Sequence, residues 1–406
     1  MCSLYVSKSK RIMKKFFAAA AFAVLCFSAF AQDASKASFS FYGFIRNYGT
    51  YDTHASNAGT EDLYYYMPND NSDKGTFNFV ALTSRLGVDV KGYEVEGYKV
   101  GAKVETDFYS KNGTTAILRL RQAYFTMAKD SRTWKIGQAW HPMAADMPDI
   151  FSLETGAPFG PFSRTPLVNL DWNYSSKLGV TAAAIWQMQY TSTGPEGATA
   201  NYIKYGGIPE IYLGVNLKPV DGLLVRVGAD FLSIKPVKNV SSRSNKLSAF
   251  AYAQYSVSDW VIKDKLTWTQ DGSHFNMIGG YGVTDAFEDG TVRYENTRNI
   301  SDWVSILYKG LGNWRPCLFL GCSKPIGTYD TLVDSKMFWG KLNAGTINNV
   351  YRIQPEITYN LGKVALGAEY MLTSVQYGTP DAHKRAAEDL HWVSNHRIQI
   401  MAKYTF

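Results

Sequence analysis

The sequence predicts an all-β fold, a transmembrane antiparallel up-and-down β-barrel of sixteen strands, on three observations. Apolar and polar residues alternate with period two through sixteen segments. After an N-terminal leader, no stretch offers the ~20 consecutive apolar residues that a membrane helix needs. Every second connection is short and most of the others are long and polar, the asymmetry of an outer-membrane barrel. Composition agrees: 27 Tyr, 34 Gly, 15% aromatic and 19% charged residues in 406 exclude a coiled coil and a disordered chain. A mean hydropathy of −0.20 suits strands that expose only every second side chain to lipid.

Residues 1–31 read as a signal peptide that is removed. Lys8, Lys10, Arg11, Lys14 and Lys15 precede an apolar run from Phe16 to Phe27 and the small-residue pattern Ala29-Phe30-Ala31. Cleavage is expected before Gln32, with Met13 a plausible start. Cys26 follows Leu25 rather than a small residue, which argues against lipid anchoring. Without the leader 37 basic residues face 35 acidic ones, so the formal +7 makes no case for nucleic acid. Residues 32–38 are a short polar lead-in, and 39–406 form one barrel domain.

The predicted strands run near 39–51, 77–91, 98–109, 116–128, 132–140, 167–175, 179–190 and 209–218, then 223–235, 244–257, 260–270, 295–309, 313–324, 346–360, 363–376 and 395–406. In the last, Ile398, Ile400, Ala402, Tyr404 and Phe406 share one face and Arg397, Gln399, Met401, Lys403 and Thr405 the other. Tyr351, Ile353, Pro355, Ile357 and Tyr359 face out in the same way, as do Leu82, Ser84, Leu86, Val88 and Val90. Turns such as Asp221-Gly222 and Leu361-Gly362 are short. Connections near 52–76, 141–166, 191–208, 271–294, 325–345 and 377–394 are long. Aromatic residues near strand ends, among them Tyr48, Tyr51, Tyr109, Trp134, Trp140, Trp172, Trp260, Trp268, Tyr359 and Tyr404, suit the two membrane interfaces.

Sorting by face puts Arg46, Arg85, Lys91, Lys103, Arg119, Arg121, Arg226, Lys263, Lys265, Arg352, Arg397 and Lys403 on the inner wall. Asp89, Glu105, Asp107, Asp230, Glu356 and Glu369 accompany them. Fixed charge lining a pore selects ions of the opposite sign; pairing of these charges across the barrel is the competing reading. The connection 141–166 carries Met143, Met147, Phe151, Phe159 and Phe162, unusually apolar for a loop in water. It either folds into the barrel or packs outside on a neighbouring subunit. Its acids Asp146, Asp149 and Glu154 are candidates to face the basic wall across a constriction.

No catalytic residue, cofactor-binding motif or metal-ligand motif is read. The six His stand outside HExxH and GxSxG contexts, and Asn69 to Gly75 misses the calcium-loop pattern because Val80 stands where a bidentate Glu belongs. Cys317 and Cys322, five apart on one strand, point to opposite faces and cannot form a disulfide.

Gly43-Phe44-Ile45-Arg46, Arg85-Leu86-Gly87, Leu118-Arg119-Leu120-Arg121-Gln122-Ala123-Tyr124, Gly137-Gln138 and Arg164-Thr165-Pro166 resemble the DcaP-like family of trimeric outer-membrane porins, best over the first 170 residues. The resemblance implies a sixteen-stranded barrel, a homotrimer in the outer membrane of a Gram-negative bacterium, and uptake of small, often anionic, solutes. By that carry-over Arg46, Arg85, Arg119 and Arg121 look like the pore arginines; the sorting by face adds Arg226, Arg352, Arg397 and Lys403 as pore-lining cations. The expected function is therefore a water-filled channel for small hydrophilic solutes, with outer-membrane lipid and like subunits as partners. An adhesin or a barrel enzyme is the alternative.

Overall fold

The computed structural model describes residues 37–58, 65–111, 115–151 and 156–406. The leader and most of the lead-in lie outside the described residues. Sixteen staves form one antiparallel sheet: β1 (Ser38–Asp52), β2 in two pieces (Thr76–Val80 and Arg85–Val95), β3 (Tyr98–Lys111), β4 (Thr115–Lys129), β5 (Arg132–Trp140), β6 (Arg164–Asn173), β7 (Leu178–Ile185) and β8 (Glu210–Leu217). Then follow β9 (Leu223–Ile234), β10 (Ser244–Val257), β11 (Trp260–Gln270), β12 (Arg298–Tyr308), β13 (Trp314–Gly327), β14 (Ile347–Leu361), β15 (Val364–Pro380) and β16 (Ala386–Thr405). Each stave pairs with its neighbour in sequence. β16 returns to β1 in a ladder from Phe44↔Thr405 to Asp52↔Arg397. Closure matters because hydrocarbon supplies no partner for a free backbone N–H or C=O.

The two faces sort as alternation requires. On β16, Ile398 and Ile400 are 58% and 60% exposed, while Arg397 and Gln399, which alternate with them, are 4% and 2% exposed. A cation turned to the bilayer midplane would cost ~2–4 kcal/mol, so each strand's inward cations fix which face turns in. At the turn end, aromatic pairs ring the outer surface: Trp172 and Tyr174 lie 4.2 Å apart, Trp260 and Tyr308 4.5 Å, and Trp314 and Tyr359 4.6 Å between ring centroids. Tyr48 and Trp140 depart from the girdle expectation. Tyr48 is fully buried inside, and Trp140 stacks edge-on to the inward Phe162.

β2 departs from its predicted regularity. Ala81 to Ser84 interrupt it, with Thr83 at φ +77°. Tyr48 pairs with Val80 and Phe44 with Arg85, so the intervening stretch of β2 carries one more residue than that of β1 and the alternation shifts phase. Leu82, expected outside, packs inward against the Tyr48 and Val80 cluster. The expected long loop at 377–394 is also different: β15 and β16 continue as a hairpin above the belt and turn where Arg385 pairs with Asp381. There both faces meet water or other loops, so the alternation that marks a membrane strand is gone. A small sheet of Gly279–Ala286, Val292–Asn296 and Phe338–Lys341 lies among the loops.

Candidate functional site: the inner loop and the basic wall

The connection after β5, running from His141 to Ser163 and here called the inner loop, folds into the barrel and binds the wall on the far side. Lys265 of β11 donates to the Met143 carbonyl at 2.5 Å. Asp146 pairs with Arg226 of β9, and Asp149 pairs with Lys263 of β11 at 2.7 Å. The Asp149 N–H donates to Ser305, and the Phe151 N–H to Glu356, each at 3.0 Å. The Phe151 carbonyl accepts from the Tyr48 hydroxyl at 2.8 Å. Glu154 lies outside the described residues.

Apolar packing seats the loop as firmly as its polar contacts. Met143 and Phe159, both fully buried, join Phe250, Trp303 and Phe319 from the wall in one cluster that also takes in Phe275. Gly321 makes room, since a Cβ there would stand 2.7 Å from the Phe159 ring. One side of the lumen is thereby filled with side chains. Beneath the loop, toward the turn end, two cavities remain. The larger, about 570 Å³, is lined by residues including Tyr124, Lys135, Asn169, Asp171 and Asn216. The smaller, about 390 Å³, is lined by residues including Arg46, Asp149, Arg315, Glu356 and Lys403.

The wall of β1 to β4 carries the cationic cluster. Arg119 grips Asp107 with two parallel hydrogen bonds of 2.8 and 2.9 Å. Arg121 bridges Asp107 at 2.6 Å and Glu105 at 2.8 Å, and Arg85 approaches Glu105 at 3.8 Å. Lys103, Asp89 and Tyr42 extend this ladder toward the turns. A bulge makes the cluster possible. The register between β3 and β4 slips at Glu105 and Thr106, so Arg121 and Gln122, adjacent in sequence, both reach Glu105. Arg46, Arg85 and Lys403 surround the Phe44 ring at 4.9, 4.9 and 6.0 Å from its centroid.

Arg352 and Arg397 sit differently from the other sequence-selected cations. Arg352, 1% exposed, donates to the Ala157 carbonyl of the inner loop and to Thr373, and Arg397 pairs with Asp52 at 2.8 Å. Their charges hold structure in place. Sequence reasoning placed Arg164 in a family motif but gave it no role; it is the fully buried first residue of β6, and its guanidinium lies against Trp140, Phe162 and Tyr190, with Nε and Nη1 unpartnered. Sequence reasoning missed the contact of His141 with Glu210 and Asp230 at the root of the inner loop. Burial holds the His141 imidazole below its usual range, more strongly than Glu210 pulls it up. Residues 69 and 89 positions apart offer no local spacing to notice. Cys317 is buried and Cys322 exposed on β13, both free, as opposite faces require.

Comparison with known proteins places this geometry. The DcaP outer membrane protein family matches residues 28–157. Those residues hold the basic wall and most of the inner loop, and the rest of the chain closes the same barrel. The first third of this chain carries the DcaP pattern. Among solved structures, the outer membrane channel DcaP of Acinetobacter baumannii is 18% identical with a TM-score of 0.70, over 92% of this chain and 98% of that one. OmpT, an outer membrane protein of Vibrio cholerae, is 12% identical with a TM-score of 0.56, over 91% of this chain and 98% of that one. OmpF of Salmonella typhi, in complex with daunomycin, is 12% identical with a TM-score of 0.54, over 91% and 97%. At such identities these likenesses establish the fold. Comparison with curated proteins finds no match. With the apolar outer belt and the closed sixteen-stranded sheet, this chain has the fold of an outer-membrane β-barrel, and its first third is similar to the DcaP family.

Proposed function

We propose that the barrel is a porin, a water-filled channel through which small hydrophilic solutes diffuse passively, with anions such as carboxylates favoured. The observation that carries this reading is the charge balance of the basic wall. Arg46, Arg85, Arg119, Arg121 and Lys403 share that wall with Glu105 and Asp107, whereas the loop acids Asp146 and Asp149 are paired with Arg226 and Lys263. Guanidinium stays charged and binds a carboxylate through two parallel hydrogen bonds, so the surplus suits organic acids. Assembly as a homotrimer, the form of one of the OmpT structures, is part of the proposal. It is supported by Phe77 and Phe79, which at 76% and 63% exposure stand two residues apart on one face of the first piece of β2.

Reversal potentials under a salt gradient test the charge argument. Removing Arg119 or Arg121 would leave Asp107 and Glu105 buried without their partners, so the informative variant is Arg46→Ala with Arg85→Ala, whose side chains are less enclosed. The wild type is expected to favour anions, less so at high salt because the Debye length shrinks from ~8 Å at 0.15 M to ~3 Å at 1 M. The double variant is expected to move toward no preference. Cation preference in the wild type, unchanged in the variant, contradicts the anion pathway and leaves the barrel untouched.

A further inference from the structure

At the root of the inner loop lies a buried polar knot that the channel reading does not use. His141 and Glu210 have no exposure and Asp230 has 2%. His141 Nε2 is 2.9 Å from Glu210 Oε1 and 3.7 Å from Asp230 Oδ1, and one donor atom from each of the three residues lies within 4.8 Å of the other two. His274 brings its Nε2 to 3.3 Å from the same Glu210 oxygen. Glu210 Oε2, Asp230 Oδ1 and both ring nitrogens of His274 have no hydrogen-bond partner. Among the described residues, histidines alone form the ion-pair contacts of these two carboxylates. Two adjacent buried carboxylates demand either a shared proton or a cation.

We propose that His141, Glu210 and Asp230 form a binding site for a divalent transition-metal ion of the zinc class, which fastens the root of the inner loop to β8 and β9. One imidazole nitrogen and two carboxylate oxygens are a donor set that zinc takes. Zinc bonds of 2.0–2.1 Å in a tetrahedron set donors roughly 3.3 Å apart, and the separations of 2.9 and 3.7 Å from His141 Nε2 bracket that edge. A charge of +2 balances both carboxylates. One contact opposes the ion: the Met143 N–H donates to His141 Nδ1 at 3.0 Å, so the neutral ring carries its proton on Nε2. Metal at Nε2 moves that proton to Nδ1 and breaks the bond to Met143. The loss of one hydrogen bond is small beside the cost of two adjacent buried carboxylates left without a counter-charge. The cost falls on the first turn of the inner loop, Pro142–Ala144, whose N-cap is His141. Metal occupancy and the conformation of the loop root are therefore coupled.

Equilibrium dialysis of the chelator-stripped, untagged barrel against zinc chloride, read by elemental analysis, tests the site. The expected result is about one zinc per chain, with affinity at least ~100-fold weaker in Glu210→Gln with Asp230→Asn. Binding that does not saturate near one per chain, or that the double variant retains while still migrating as a folded barrel, overturns the proposal. Should the double variant fail to fold, cobalt(II) on the wild type decides. Visible absorption of a tetrahedral nitrogen and oxygen site supports the proposal, and its absence means that the carboxylates share a proton instead. A stripped barrel that conducts but binds no zinc defeats this inference without touching the channel.

Discussion

Asp107 shows what a single buried charge does in this molecule. Its carboxylate, 1% exposed, accepts from Arg119 and Arg121 together. Removing one partner of such a buried pair leaves an uncompensated charge, so Asp107→Ala is expected to cost about 3–5 kcal/mol of stability, read as a lowered urea midpoint in detergent. Arg46→Ala, which among the described residues breaks contacts to the Thr83 hydroxyl and two aromatic rings, is expected to cost under about 1 kcal/mol. Equal losses would show that the wall is not organised around Glu105 and Asp107. At this scale the inward position of the charges was legible, because a cation among outward apolar neighbours has one tolerable side. The choice of partners was not. It depends on the register slip beside Glu105: the extra residue shifts the phase of the alternation, but that shift does not say which acid each arginine reaches.

Strands and loops were legible to different degrees for one physical reason. A strand between lipid and water must alternate, and all sixteen predicted segments have a counterpart stave. Where lipid ends, the constraint ends, so the hairpin extension of β15 and β16 and the sheet among the loops carried no signal. The inner loop announced itself by its apolar residues, since Met143 and Phe159 need a dry surface and the lumen supplies one. Cutting its polar anchors with Arg226→Ala and Lys263→Ala is expected to leave the barrel folded but free part of the loop, giving larger or noisier single-channel currents. Currents identical to the wild type would show that apolar packing alone fixes the loop. β16 tests closure. Phe406 exchanges backbone hydrogen bonds with Gly43, and its ring covers the Gly43 backbone so closely that a Cβ there would lie 2.7 Å away. Deleting Tyr404 to Phe406 is expected to abolish the folded outer-membrane form, and a truncated chain that still assembles would contradict the role given to this seam.

As a whole the molecule is a closed sheet with an apolar belt outside, charge inside, and a loop that fills one side of the lumen. Closure predicts a species that resists SDS when unheated and changes mobility on boiling. Function depends on what the inner loop leaves open. The cavities of about 570 and 390 Å³ beneath it, and the cationic wall that borders the smaller one, define the proposed route. Single-channel recording of the purified wild type in a planar bilayer measures that route directly. The account predicts discrete, ohmic open-channel steps and a zero-current potential under a salt gradient whose sign marks anions as the favoured ions. A folded barrel that inserts yet passes no current would contradict it.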